Sequence, residues 1–323
     1  MGNRRAFLAG AAALAGAQLL PSRGFAQAID QLQLFVPAAP GGGWDQTARA
    51  LELILKTEKL IGSAQITNVP GAGGTVGLPQ FVNQWKNRPN ALMVGGMVMV
   101  GAIIANKAPV DLTKTVPIAR LTGESLVLAV PPNSPFKTAK DFANALKADP
   151  AKVPVCGGSA GGSDHILLGM IAKAVGAPPQ KIAYVPYAGG GPALAALLGG
   201  HVAAGISGYG EFGEQIKAGK LKALAISAEQ RQPGVDVPTL KEQGIDVELI
   251  NWRGVFAPPG IAGDKRQALI NLIEKMAKTR TWREEVGKRD WLPMVMTGDA
   301  YAKYIESETT RIAAILKDLG LAS

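Results

Sequence analysis

The sequence has little of the side-chain chemistry from which disulfides and metal centres are made. Its 323 residues include one cysteine, Cys156, and two histidines, His165 and His201. A single cysteine excludes an internal disulfide and any zinc site built from cysteines. Two histidines leave few ligands for another kind of metal centre. We therefore expect a protein that works without a metal or a cofactor.

Charged and aromatic residues are also scarce. Only 18% of the residues are charged and 6% are aromatic, whereas 47% are hydrophobic. An average globular chain has about 25% charged residues, and a disordered chain has more charge and less apolar surface to bury. The composition therefore predicts a folded chain, and its length is that of roughly two domains.

The formal net charge of +9 does not identify a nucleic-acid partner. Positive charge favours anionic partners in general. The sequence has no cluster of lysine and arginine residues with interleaved aromatics, which nucleic-acid binding would favour. We therefore expect no nucleic-acid partner.

Residues 1–28 have the pattern of an export signal. Arg4 and Arg5 precede an apolar run over residues 7–20, and the small residues around Ala26-Gln27-Ala28 offer cleavage sites. The run is shorter than the roughly 20 apolar residues that span a bilayer. We therefore expect a cleaved signal rather than a membrane anchor.

The paired arginines suggest the export route. Followed by an Ala-Phe-Leu run, they resemble a twin-arginine signal, with a Sec signal as the alternative. Either signal predicts a periplasmic protein. Cleavage removes Arg4, Arg5 and Arg23 and no acid, so the net charge falls from +9 to +6.

Short β-type runs alternate with helical runs along the rest of the chain. The run Leu32–Val36, for example, precedes residues 46–56, where Ala48, Leu51 and Leu55 share one helical face. Such alternation predicts an α/β fold with open, mostly parallel sheets flanked by helices.

Two breaks in the pattern suggest two lobes. A proline-rich segment at residues 131–135 follows a predicted strand, and a second break falls at residues 244–252. A chain that crosses between lobes at both places would form one lobe from residues 126–245. Residues 29–125 together with 246–323 would form the other lobe.

Glycine is the residue in excess. The chain has 40 glycines, about 12% of its length, against roughly 7% in ordinary proteins. Much of the excess falls in three loops between a predicted strand and a predicted helix, at residues 37–45, 157–164 and 187–192. Open α/β sheets bind ligands at such loops. Glycine there lets a ligand approach the backbone, and the first helical turn offers N–H groups to an anion.

The three loops contain no arginine or lysine. They therefore predict an anion site made of backbone N–H groups and hydroxyls. A charge-assisted hydrogen bond contributes about 1.5–3 kcal/mol, and several on each of two carboxylates would suffice for about micromolar affinity. We interpret Arg49 and Arg253 as solvated surface residues.

The segment Gly157-Gly158-Ser159-Ala160-Gly161 supports an alternative, an exported α/β serine hydrolase with a G-x-S-x-G nucleophile. Such an enzyme needs an acid and then a histidine after the serine. Only His165 and His201 follow Ser159, and Asp164 is the one acid between Ser159 and His201. Because His165 is too close in sequence to serve, we favour a binding protein without catalytic residues.

Six segments together resemble the periplasmic substrate-binding proteins of tripartite tricarboxylate transporters, the Bug family. These segments are FVPAAPGGGWDQTAR (35–49), NVPGAGGTVGL (68–78), GGSAGGSDHILL (157–168), VPYAGGGPALAALLGG (185–200), IKAGKLKALAISAEQR (216–231) and WRGVFAPPG (252–260). The resemblance extends over nearly all of the chain beyond the leader. It implies a two-lobed, Venus-flytrap α/β fold of the type II-like class.

The resemblance also implies a monomeric, non-enzymatic receptor that binds a small organic acid and delivers it to membrane permease subunits. The implied first-lobe contacts are Ala39, Pro40, Gly41, Gly42, Gly43, Trp44 and Asp45. The implied second-lobe contacts are Ser159, Ala160, Gly161, Gly162, Ser163, Asp164 and His165. The residues implied to line the cleft are Tyr187, Ala188, Gly189 and Gly190.

Two features are more similar to the tricarboxylate branch of the family than to its amino-acid-binding branch. The segment Gly96-Met97-Val98-Met99-Val100 stands where many members have polar residues. The loop from Ser159 to His165 is also shorter than is common in the family. The expected ligand is therefore a di- or tricarboxylate, such as a citrate-like acid.

Overall fold

The computed structural model describes residues 29–322. The predicted export signal at residues 1–28 lies outside the described residues. Between residues 29 and 322 no helix combines the length and the apolar character needed to cross a bilayer.

Residues 29–322 form ten strands and ten α-helices, which mostly alternate. The strands are β1 (Gln31–Val36), β2 (Ser63–Asn68), β3 (Ala91–Gly96), β4 (Val116–Val130), β5 (Val155–Gly157), β6 (Tyr184–Pro186), β7 (Ala204–Gly208), β8 (Lys222–Ile226), β9 (Ile250–Ala257) and β10 (Leu292–Thr297). The helices are α1 (Gly43–Thr57), α2 (Gly77–Gln84), α3 (Met97–Ala105), α4 (Ala139–Ala148), α5 (Ser163–Ala174), α6 (Gly190–Leu198), α7 (Tyr209–Lys217), α8 (Gly263–Ala277), α9 (Arg280–Lys288) and α10 (Gly298–Asp318).

The long strand β4 joins the two lobes. From Val116 to Ser125 it pairs with β9, and from Leu126 to Ala129 it pairs with β7. The strand order is β2-β1-β3-β9-β4-β7-β5-β6, with β10 and β8 also paired to β4. One lobe is therefore built around β1, β2, β3, β9 and β10, and the other around β5, β6, β7 and β8.

The sheets are mixed rather than mostly parallel. Strands β1, β2 and β3 pair in parallel in one lobe, as do β5, β6 and β7 in the other. Every pairing made by β4 or β9 is antiparallel. The parallel expectation is correct only for the βαβ parts of each lobe, because β4 and β9 run antiparallel to the strands beside them.

The predicted amphipathic face of α1 is confirmed. Ala48, Leu51 and Leu55 are all at most 1% exposed and belong to the main core. Strand β3 is buried along its whole length, and α3 follows it directly. Burial of these faces against the sheet is the main favourable term that holds α1 in place.

Ser227 forms hydrogen bonds with both segments that pass between the lobes, namely β4 and the segment that leads into β9. Its N–H donates to the Leu126 carbonyl oxygen at 2.8 Å, and the Leu249 N–H donates to the Ser227 carbonyl oxygen at 3.0 Å. Its buried hydroxyl accepts from the Leu126 N–H at 2.9 Å and donates to the Leu249 carbonyl oxygen at 2.5 Å. One residue therefore fixes β4 against the segment that leads into β9.

We expect Ser227→Ala to lower the free energy of unfolding by about 1–3 kcal/mol, because it leaves the buried Leu126 N–H and Leu249 carbonyl each without the hydroxyl. Ser307→Ala is the matched control, since the exposed Ser307 hydroxyl donates to the Tyr304 carbonyl within its own helix. The control should change stability by about 0.5 kcal/mol or less. Urea unfolding measures both, and equal effects for the two variants would contradict the assignment.

Candidate functional site

A cavity of about 70 Å³ lies between the two lobes. Nine of the residues implied as contacts line it, namely Gly42, Gly43, Trp44, Ser159, Ser163, Asp164, Ala188, Gly189 and Gly190. Residues from β9 and α7 also reach it, namely Glu211, Asn251 and Arg253. This is several times the roughly 10–15 Å³ that a cavity needs to hold one water.

The first two glycine loops are built in the same way. Gly41 has φ +82° and its N–H donates to Asp45 Oδ2 at 2.9 Å. Gly161 has φ +74° and its N–H donates to His165 Nδ1 at 3.1 Å. In each loop a left-handed glycine is held by the side chain four residues later, so the turn has one defined shape.

Each of these loops ends on an extended glycine that precedes a helix. Gly42 (φ −75°, ψ 167°) precedes α1, and Gly162 (φ −75°, ψ 179°) precedes α5. Neither glycine has a side chain to cap the helix, and the first-turn N–H groups of a helix have no acceptor within the helix. Gly43 and Ser163, the first residues of the two helices, both line the cavity. The cavity therefore has a helix N-terminus in each lobe, which favours an anion.

Nine other implied contacts are not among the residues that line the cavity. They are Ala39, Pro40, Gly41, Asp45, Ala160, Gly161, Gly162, His165 and Tyr187. Asp45 and His165, for example, accept hydrogen bonds that shape the turns. As ligand contacts, all eighteen residues remain predictions.

The interpretation of Arg253 as a surface residue is wrong. Arg253 is 2% exposed and forms a buried ion pair with Glu124, which is 1% exposed. Its guanidinium lies so close to Gly43 that a Cβ atom there would collide with it. Among residues 29–322, its Nε and Nη1 atoms have no hydrogen-bond partner. The site thus has an arginine with free donors at the N-terminus of α1.

Arg49, in contrast, is a surface residue as expected. Its side chain is 57% exposed, and Nε donates to Asp45 Oδ2 at 2.7 Å. Asn68 Nδ2 donates to Asp45 Oδ1 at 3.0 Å. Arg49 therefore acts on the site only by holding Asp45, whose pKa is lowered by these hydrogen bonds in spite of the opposing effect of burial.

Two buried carboxyl groups stand beside the cavity. Burial is the largest effect on both, and it raises the pKa of Asp164 to about 6 and that of Glu124 to about 7. Asp164 accepts from the Gly158 N–H at 2.7 Å and from the Ser163 hydroxyl at 2.9 Å. Arg253 and the Gly210 N–H oppose the rise at Glu124. The cavity therefore has buried acids beside it as well as the two glycine turns.

The loops of the two lobes touch across the cavity. A Cβ atom on Gly101 of α3 would overlap the Gly161 carbonyl oxygen, and one on Gly73 would lie 3.3 Å from Ser159 Cβ. Gly162 is similarly close to Val98. The glycines at these positions allow α3 of one lobe to lie directly on the second-lobe turn.

Residues 48–321 match the family model of the tripartite tricarboxylate transporter family receptor. The chain belongs to this receptor family. Receptors of the family are periplasmic solute-binding proteins and not enzymes. The hydrolase alternative at Ser159 is therefore wrong. The geometry agrees. A nucleophile elbow is a sharp turn from strand to helix, whereas five residues separate the end of β5 from the start of α5. His165 Nδ1 accepts from the Gly161 N–H and so is already used in the loop.

Known relatives support the receptor family and its fold. BugT of Bordetella pertussis is 29% identical over 318 residues, which are 97% of this chain and 94% of BugT. The periplasmic binding protein BugD superposes with a TM-score of 0.82 at 21% identity, covering 90% of this chain and 98% of BugD. MatC from Rhodopseudomonas palustris, solved with bound malate, gives a TM-score of 0.78 at 25% identity and covers 88% of this chain and 98% of MatC. The two-lobed α/β fold of the binding proteins is thereby confirmed.

Sequence reasoning missed two polar residues of this receptor's cavity, Glu211 and Asn251, and misjudged a third, Arg253. They come from α7 and β9, far from the glycine loops in sequence. A signal for Arg253 and Glu124 did exist, since Arg253 is the one charged residue of β9, and Glu124, with Arg120, is one of two in the mostly apolar β4. Such residues are almost never fully buried unless they are paired.

The stability of this receptor should depend on His165 below neutral pH. Burial lowers the pKa of His165 from 6.5 to about 4, and its ring stacks on Tyr184 with centroids 4.3 Å apart. A lowered histidine pKa stabilises the fold above the unfolded pKa, and this contribution is lost as the pH falls from 6.5 towards 4.

We therefore expect wild type to lose at least about 1 kcal/mol more stability than His165→Asn between pH 7 and pH 4.5. Asparagine offers an oxygen where Nδ1 accepts from Gly161 but does not titrate. Urea unfolding at the two pH values measures the difference. Parallel pH profiles for the two proteins would contradict it.

Proposed function

We propose that this protein is an extracytoplasmic receptor that binds a small carboxylate between its lobes and delivers it to a tripartite tricarboxylate transporter permease. The observation that carries the proposal is the meeting of two helix N-termini and the buried Arg253 at one cavity. Arginine and backbone N–H groups are the usual partners of carboxylates.

Arg253 adds a charged donor to the neutral cradle that the loops provide. Within the described part of the chain, its Nε and Nη1 have no partner, and buried donors left without acceptors are unfavourable. A carboxylate bound there would accept from the guanidinium and from the first-turn N–H groups of α1 at the same time. The second-lobe turn at Ser159 to Ser163 would hold another part of the ligand.

A relative's ligand favours a short acid among the di- and tricarboxylates that we expect. The related MatC, at 25% identity, is described with bound malate. We propose four-carbon dicarboxylates as the first ligands to test, and citrate-like acids as the next. A thermal-shift screen with acids of three to six carbons tests this directly. A ligand at 100 times its Kd stabilises by about 2.7 kcal/mol, so failure of every acid at millimolar concentration would overturn the proposal.

The domain division and location complete the proposal. Residues 29–125 with 246–323 would form one lobe and residues 126–245 the other, which is supported by the change of partner in β4 between Ser125 and Leu126. Residues 1–28 would be removed on export to the periplasm, by the twin-arginine or the Sec route. The mature receptor would act as a monomer that docks on the permease in its closed form.

Ligand affinity should depend on the contact between Gly101 and Gly161. We expect Gly101→Ala to weaken binding at least about tenfold, because the new methyl group would hold α3 away from the second-lobe turn and leave the cavity open. The free energy of unfolding should fall by no more than about 1–3 kcal/mol, because the overlap with the Gly161 backbone forces a shift that the better helix propensity of alanine offsets only in part.

Gly287→Ala on α9 is the matched control, because a Cβ atom at that helical position meets nothing within 4 Å in the described chain. Calorimetric titration with the best acid from the screen measures both variants. Wild-type affinity in Gly101→Ala would show that closure at this contact does not contribute to binding.

A further inference from the structure

Glu211 stands between the glycine loops of the two lobes. It lies in the first turn of α7 and lines the cavity. A Cβ atom on Gly42 would be 4.0 Å from Glu211 Oε1, and one on Gly190 would be 2.6 Å from the same atom. A ligand carboxylate bound at the α1 turn would therefore lie beside the Glu211 carboxyl group.

One oxygen of Glu211 is used by the protein and the other is not. Oε2 accepts from the Ser207 hydroxyl at 2.8 Å. Oε1 is buried and receives no hydrogen bond from any residue between 29 and 322. Asn251, which is 6% exposed, has a buried Oδ1 in the same situation and also lines the cavity. Two of the residues that line the cavity thus have a buried acceptor without a partner, beside the unpartnered donors of Arg253.

The charges around the cavity disfavour an anionic ligand that has hydrogen-bond acceptors but no donor. Three acids, Glu124, Asp164 and Glu211, surround the single guanidinium of Arg253, and Glu124 is already paired with it. A carboxylate placed beside Glu211 is repelled unless a hydrogen-bond donor lies between the two groups. Such a ligand would also leave Glu211 Oε1 and Asn251 Oδ1 unpaired, which makes its binding still less favourable.

We propose that Glu211 is a specificity-determining residue that accepts a hydrogen bond from a hydroxyl or ammonium group next to the ligand's carboxylate. The inference rests on the proposed function and narrows the ligand to hydroxy or amino acids. A site with such acceptors discriminates strongly against an analogue that lacks the donor. Arg253 and the helix turns bind the ligand carboxylate, and Glu211 and Asn251 accept hydrogen bonds from the hydroxyl or ammonium group beside it.

Succinate, malate and aspartate form a matched set for the test. They share a four-carbon chain with two carboxylates and differ only by hydrogen, hydroxyl or ammonium at one carbon. We expect the wild-type protein to bind malate or aspartate at least about tenfold more tightly than succinate in calorimetric titrations at pH 7.5. If the screen finds a preferred acid of another length, the same three substituents are compared on that chain.

Substitution of Glu211 assigns the preference to this residue. Glu211→Met removes the acceptor at similar length, and we expect the preference over succinate to disappear while succinate binds equally well or better. Glu211→Gln keeps a neutral acceptor and a partner for Ser207. It should keep a preference for the hydroxyl but lose at least about tenfold of a preference for the ammonium, so it distinguishes the two donors.

Glu214→Gln is the control on the same helix, since the Glu214 side chain is 82% exposed and forms an ion pair with Lys217. It should leave all affinities unchanged. Equal affinity of the wild type for the three acids, or a preference that survives Glu211→Met, would overturn the role of Glu211 and leave the carboxylate receptor intact. Failure of every acid to bind would overturn the receptor proposal itself.

Discussion

The buried ion pair between Glu124 and Arg253 is the interaction on which the site depends. It joins β4 to β9 next to the crossing between the lobes. Glu124 also accepts from the Gly210 N–H of α7 at 2.9 Å, so one carboxyl group links three elements from both lobes. A buried charge is stable only when it is paired and hydrogen-bonded. Once this pair is buried, the position of the guanidinium at the cavity is fixed.

The ion pair explains a second group of glycines, which are needed for space rather than for backbone conformation. A Cβ atom on Gly43 would collide with Arg253, and one on Gly208 would collide with the Glu124 carboxyl group. A Cβ atom on Gly210 would lie 3.0 Å from Glu124 Oε1. At these positions glycine makes room for charged side chains that arrive from elsewhere. At Gly41 and Gly161 it serves the backbone turn itself, because φ is positive.

The parts of the fold and the site that sequence reasoning predicted are those set by neighbours along the chain. The helix periodicity of α1 and the two turns before α1 and α5 depend on residues within four or five positions. Arg253 was misjudged because its partner, Glu124, is 129 residues away, so its burial has no local cause. Glu211 was missed for the same reason, since only the folding of α7 against β4 brings it to the cleft. The mixed sheet likewise follows from the return of the chain through β9.

The sequence alone determined the α/β class, the glycine turns before α1 and α5, and the family, because each depends on short contiguous segments such as residues 37–45 and 157–164. The tertiary structure alone decided which charges face the cavity between those turns. Desolvation explains the difference. Whether an arginine or a glutamate is a surface residue or part of a site depends on which distant groups exclude water from it, and only the packed lobes bring Glu124, Glu211 and Arg253 together.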